Sequence, residues 1–178
     1  CANGLDGIEV RCLPAPLHNH PDLIAGAVDE ALTALAPGYE RVFVAYADCG
    51  TAGALDVVLG RHAVERLPGA HCYAFYAGLP AFDAIHGAEP GTFYLTDFLA
   101  RSFETLVIGG LGLDRHPHLL ESYFGNYTRL VYLSQREDPD LLERARRAAD
   151  RLGLRFEHIA TGYGELGVRI AALGDGRS

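Results

Sequence analysis

Methionine, tryptophan and lysine are absent from the 178 residues, and cysteine occurs only four times. Because the missing methionine extends to position 1, the chain is expected to be a processed product or a piece of something longer. Four cysteines are too few for a disulfide-dense secreted scaffold, which leaves metal binding, catalysis or plain burial for them. With no lysine, all fifteen basic residues are arginines, and 23 acidic residues outnumber them to give a formal net charge of -8. Nucleic acid is held chiefly by clustered positive charge, so no nucleic-acid partner is expected. The one concentration of arginine, Arg144, Arg146, Arg147 and Arg151, shares a helical pattern with Glu143 and Asp150 and reads as a solvated helix face. A run of about 18 apolar residues is also lacking, as is a charged-then-apolar start. A membrane partner is therefore not expected, and a cytoplasmic location is. Neither a G-x-S-x-G nor a P-loop occurs, and Gly109-Gly110-Leu111-Gly112 is no dinucleotide fingerprint.

What is present is globular in character: 49% hydrophobic and 21% charged residues, with enough length to bury a real core as a single domain over 1–178. Only the tail, Gly174 to Ser178, is expected to be disordered. The alternation of Ile8 to Leu13 predicts a short strand ending at Pro14, with Cys12 as a core residue. A Pro-flanked loop with His18 and His20 follows, and Leu23, Ile24, Ala27, Val28, Ala31, Leu32 and Leu35 recur at helical spacing up to Pro37-Gly38. Arg41 to Tyr46 is nearly continuous and β-rich, the pattern of a parallel strand buried on both faces. The small-residue turn Ala47 to Gly53 then leads into a helix beginning near Ala54. A second strand is predicted over Ala70 to Tyr76, and a helix capped by Thr96-Asp97 within Thr92 to Val107. A short helix around His118 to Phe124 precedes the most regular stretch: strand Arg129 to Leu133, helix Pro139 to Leu152, stop at Gly153 and strand Leu154 to Ala160. This last unit is βαβ. The expected architecture is α/β, an open, mostly parallel Rossmann-like sheet with helices on both faces.

Ligands gather at the carboxyl ends of strands in such sheets, and Cys49 stands at one. A thiol ahead of a helix start is expected to ionise more readily, and thiolate is the form that binds soft metals and attacks electrophiles. Burial as a small apolar residue is the plainer alternative. Strand alternation would send His71 and Cys72 to opposite faces, and Cys72 is the favoured one. His18 can reach the same ion if its loop is extended. Cys49, Cys72 and His18 would then make the three-ligand set of a catalytic zinc site, with His71 as a further candidate ligand and Thr96, Asp97 and Tyr73 supporting the bound group. No compact CxxC pair anchors that reading. An iron-sulfur cluster is the alternative cofactor if another thiolate joins the pair. Asp114-Arg115-His116 lacks the glycine three residues on that a corrinoid-ligating loop needs, since position 119 is Leu. The aromatic run Tyr123, Phe124, Tyr127 and Tyr132 is expected to be core.

At Leu13 to Asn19 (LPAPLHN), Ala45 to Thr51 (AYADCGT), His71-Cys72-Tyr73, Tyr94 to Leu99 (YLTDFL) and Gly110 to Asp114 (GLGLD), the sequence resembles the family named domain of unknown function 1638. The resemblance runs through nearly the whole chain. It implies a companion of corrinoid-dependent methyltransferase systems, and it singles out Cys49, His71, Cys72 and His18. Sequences of this type usually open with a strand and an additional Cys-Gly, both missing here. Whether Cys1 stands in for that thiol is open.

Three expectations follow. The leading one is a zinc-like, Cys/His-ligated protein of one-carbon or methyl-transfer metabolism, with a corrinoid protein or methyltransferase as partner. The second is a non-catalytic partner that presents a metal or an iron-sulfur cluster to a larger corrinoid or redox enzyme. The third is a metal-free thiol enzyme using Cys49.

Overall fold

The computed structural model describes residues 8–35 and 38–174. Cys1 and the tail beyond Gly174 lie outside the described residues. Along the chain run a 3-10 turn (Ala15–Asn19), α1 (Pro21–Leu35), β1 (Phe43–Val44), α2 (Ala54–His62), β2 (Glu65–Arg66), α3 (Tyr73–Ala77), α4 (Leu79–Ala88), β3 (Thr92–Thr96), α5 (Asp97–Phe103), a π-helical segment (Glu104–Gly109), α6 (Leu119–Phe124), β4 (Arg129–Ser134), α7 (Pro139–Leu152), β5 (Arg155–Ala160) and α8 (Gly164–Gly174). These elements form an open, parallel, Rossmann-like α/β architecture. They fall into two compact units, one ending at Phe75 and resuming at Gly164, the other spanning Tyr76–Tyr163.

In the first unit β1 and β2 pair in parallel, Phe43 with Glu65 and Val44 with Arg66. The apolar stripe of α1, Ile24, Val28 and Leu32, packs on Leu55, Val58 and Leu59 of α2. Those positions are spaced by four residues along α1, so one face is buried. Three expectations need correction here. Residues 8–14 form no strand, and Cys12 is exposed rather than core. No described strand pairs with the segment, so its alternation has no ladder to join. The expected strand over Arg41 to Tyr46 shrinks to two residues, both only half-buried. One two-residue neighbour is all it pairs with, so apolar content alone could not extend it. Finally, the expected strand over 70–76 is a turn followed by α3, because the pairing strand lies earlier, at Glu65–Arg66, and Pro68 stops it. In α3, Ala74 and Phe75 are buried instead.

The second unit carries a three-stranded parallel sheet in the order β3-β4-β5. Every residue of the central strand, Arg129 to Ser134, is buried. Leu95, Leu130 and Tyr132 meet α5 and α7 on one face, where Leu141, Ala145, Ala148 and Leu152 form the buried stripe of α7. Phe82 and His86 of α4 pack on Tyr94, whose position in the strand alternation puts it on the opposite face. Helices thus cover both faces, as expected. Asp138 caps α7 by accepting from the Leu141 N–H at 3.1 Å, and Gly153 ends it at φ 71° with its N–H on the Ala149 and Asp150 carbonyls. The Thr96 cap of α5 also forms, but β3 ahead of it was not anticipated. Within the aromatic run, Phe124 and Tyr132 are core, whereas Tyr123 is exposed.

Candidate dithiol site

Beyond the ends of β1 and β2 the two segments stay zipped. The Asp48 N–H donates to the Gly69 carbonyl at 3.1 Å, and the Cys49 N–H to the Ala70 carbonyl at 2.9 Å. This continuation lays the Cys49 turn alongside the loop that carries Cys72. The Asp48 carboxylate builds the turn by accepting from the Thr51 hydroxyl (2.7 Å), the Gly53 N–H (2.9 Å) and the Ala52 N–H (3.2 Å). Within it Cys49 holds φ 48°, the left-handed region that costs a non-glycine residue about 1 kcal/mol or more. Strain of that kind persists only where surrounding bonds over-determine it, and it concentrates at functional sites.

The Cys72 loop is pinned by Arg66. Its guanidinium grips Asp56 of α2 through both terminal oxygens (2.6 and 2.9 Å) and donates to the carbonyls of Leu67 (2.8 Å) and Gly69 (3.3 Å). One side chain therefore ties the helix that follows Cys49 to the loop that precedes Cys72.

Between these two braced loops the cysteines meet. Both pack on the small apolar cluster of Ala47, Leu67 and Phe75. The neighbouring Cys72 thiol lowers Cys49 to about 7 against the opposing effect of burial. Cys72 is correspondingly raised, first by Cys49 and then by burial. Ahead of the helix start, the N–H groups of Ala52 and Gly53 are taken by Asp48, whose own charge pushes Cys49 upward. Above the pair, burial and then the sulfurs of Cys49, Cys12 and Cys72 raise Tyr46 and keep its phenol neutral.

The remaining expected residues are placed as follows. His18 lies in the 3-10 turn, where desolvation of its ring favours the neutral form although the residue as a whole keeps substantial exposure. Its loop comes close to the Cys49 turn: a Cβ at Gly50 would meet Pro21 at 3.4 Å. His71 is exposed, with its ring 6.4 Å from that of Tyr73. Thr96 and Asp97 belong to the second unit. There Asp97 is buried, accepts from the Tyr132 hydroxyl at 2.8 Å and from the Gln135 N–H at 3.1 Å, and so ties β3 to β4. Among the described residues no three His, Cys, Asp or Glu side chains stand close enough to share one ion. The structure brings Cys49 and Cys72 together and does not gather the wider set around them.

One polar cluster was missed from the sequence. At the carboxyl end of β4, Ser134 hydrogen-bonds His158 (2.9 Å), whose ring stacks on Tyr132, beside a cavity of about 460 Å³ that also reaches Arg136 and Leu142. The signal available was the polar Ser134-Gln135 pair directly after the run Leu130 to Leu133.

No curated protein and no solved structure gives a significant match to the chain. A family profile described as "Protein of unknown function (DUF1638)" does match it, over residues 12–168. That span includes Cys12, Cys49 and Cys72 and most of both compact units, and on it the chain belongs to this family.

Proposed function

We propose that the Cys49–Cys72 pair binds a soft or borderline metal ion, zinc-like in its preferences, and serves a thiol- or amine-directed transfer reaction of one-carbon metabolism. The observation that carries this is the pair itself. Two thiols 23 positions apart in sequence are brought by two braced loops onto one small apolar cluster, and Cys72 lowers Cys49 to about 7. Thiolate sulfur is the donor that zinc and other soft ions take.

The donor set fits such an ion in type but supplies only two ligands. The remaining positions are left for His18, for a residue outside the described ones, or for an incoming substrate. A zinc-like ion supplies Lewis acidity, which lowers the pKa of a thiol or amine bound to it. The chain's own part is to hold two sulfurs at a fixed separation, to keep a neutral phenol beside them, and to limit water through the apolar packing of Leu67 and Phe75. Methyl transfer to a thiol is the reaction class that the family resemblance favours, with a corrinoid protein or methyltransferase as partner.

Anaerobic purification without a tag, followed by elemental analysis and an absorption spectrum, tests the reading. About one zinc per chain in a colourless protein, lost in both Cys49→Ser and Cys72→Ser, is the expected result. Brown protein with visible absorption would replace zinc by an iron-sulfur cluster. No stoichiometric metal would overturn the proposal.

A further inference from the structure

We propose that the second unit carries an acyl-transfer site of its own, in which Ser134 is the nucleophile and His158 its general base toward a small carboxylic ester. The site shares no residue with the cysteine pair and does not rest on the metal reading. Its basis is a hydrogen bond and the cavity beside it. The Ser134 hydroxyl lies 2.9 Å from His158 Nε2, and both residues line the cavity of about 460 Å³ at the carboxyl end of β4 and β5. In parallel sheets that end is where ligands gather. Tyr132 stands opposite His158 in the β4–β5 register and Ser134 opposite Ala160, so strand alternation puts these four residues on one face. Each partner of the hydrogen bond is fixed by bonds of its own. The Ser134 carbonyl accepts from the Thr161 N–H (3.0 Å), the Thr161 hydroxyl (3.1 Å) and the Gly162 N–H (3.2 Å). The His158 ring stacks on Tyr132, with centroids 5.3 Å apart and planes at 21°, and the Tyr132 hydroxyl is anchored on buried Asp97 at 2.8 Å. A nucleophile within reach of a base that a third group orients is the recurrent geometry of covalent catalysis. Here the third group is an aromatic face rather than a carboxylate.

In the first step His158 Nε2 takes the hydroxyl proton as Ser134 Oγ attacks the ester carbonyl. An Oγ–C bond forms, and the carbonyl π pair moves onto oxygen. Collapse of the tetrahedral adduct breaks the C–OR bond, and the alkoxide leaves with the proton that His158 carries. A water then attacks the acyl-serine and gives a proton to His158. The second collapse expels Ser134 Oγ, which takes that proton back. Ester and water become acid and alcohol, with no change of oxidation state and no co-reactant but water. Arg136 is the lining residue with N–H donors for the developing oxyanion, and its guanidinium is held by Asp138 at 2.9 Å with Asp97 3.9 Å away. Pro139 and Leu142 of α7 supply an apolar wall, and the cavity's volume limits the acyl and alcohol parts to small groups.

The test treats the full-length chain with a small alkyl fluorophosphonate, which couples to an activated serine with loss of fluoride, and locates the product by intact mass and peptide mapping. One phosphonyl group on Ser134 is the expected result. Ser134→Ala is expected to abolish the labelling, and His158→Gln to slow it about a hundredfold or more, the size of a general-base contribution. The wild type decides the matter without any variant: a chain left unlabelled at Ser134 by excess probe, or labelled at another serine instead, overturns the proposal. So does labelling at the wild-type rate in a His158→Gln chain whose urea unfolding matches wild type. Metal content does not enter this readout, so failure here leaves the zinc reading of Cys49 and Cys72 standing, and failure of the zinc reading leaves this site untouched.

Discussion

At the scale of single residues, the chemistry depends on what Cys72 does to Cys49. Cys72 is the largest influence lowering Cys49, and burial opposes it. Replacing Cys72 by alanine removes that influence and leaves the effect of burial. Alkylation of metal-free wild type with iodoacetamide should therefore show a midpoint near pH 7 at Cys49. In Cys72→Ala the midpoint should rise to about 8.5 or higher, the ordinary thiol range. An unchanged midpoint would show that the sulfur contact is not the cause. Asp48 acts on the same turn through stability. Its carboxyl is held below the usual range, first by the Thr51 hydroxyl and then by the Gly53 N–H. A carboxylate depressed in the folded state stabilises above its unfolded pKa of about 3.9, and that contribution is lost as pH falls through the folded value. Thermal melts of wild type and Asp48→Asn should accordingly differ most at neutral pH and converge as pH drops below about 4.

At the scale of elements, the sulfur pair is a product of how α2 and the loop after β2 are joined. Arg66 makes that joint with a forked guanidinium that lysine does not reproduce, so both Arg66→Lys and Arg66→Met should loosen it. Well below their melting temperatures, each variant should bind zinc on the order of tenfold more weakly than wild type in a chelator competition, since residues that hold the ligands in place set affinity for the ion. Equal zinc affinities would make Arg66 a stabilising residue only. A different end condition governs α7 in the second unit. Gly153 sits at φ 71° with open space around its missing Cβ, so Gly153→Ala tests backbone strain free of steric clash. The expected loss in urea unfolding is about 1 kcal/mol.

At the scale of the whole molecule, acidity is the dominant property. A formal charge of -8 with a pI near 5.4 keeps copies of the chain apart at neutral pH. Solubility should fall to a minimum near pH 5.4 and recover on either side, and light scattering across that range reads it directly. No described helix is long and apolar enough to cross a membrane. The two units also differ in how they are built. The second has a three-stranded sheet with a fully buried central strand, while the first holds its site with two-residue strands, a strained turn and side-chain braces. A site fixed by a few bonds rather than by a deep core is one that single substitutions such as Arg66→Met can shift.

What the sequence determined by itself is the set of features that local chemistry dictates. The apolar spacing of α1 and α7, the Asp138 and Thr96 caps, the Gly153 stop and the βαβ order of the last third are all readable from neighbours a few positions apart, because helix periodicity and capping are local effects. The turn at Cys49 was legible for the same reason, as a run of small residues between apolar segments. Tertiary structure decided the rest. Whether residues 8–14 and 70–72 become strands depends on a partner for their hydrogen bonds, and periodicity carries no information about partners. Cys12 is exposed for that reason, and α3 takes the place expected of a strand. The convergence of Cys49 with Cys72 came from parallel pairing and the Arg66 brace, which join segments that composition and spacing treat as independent.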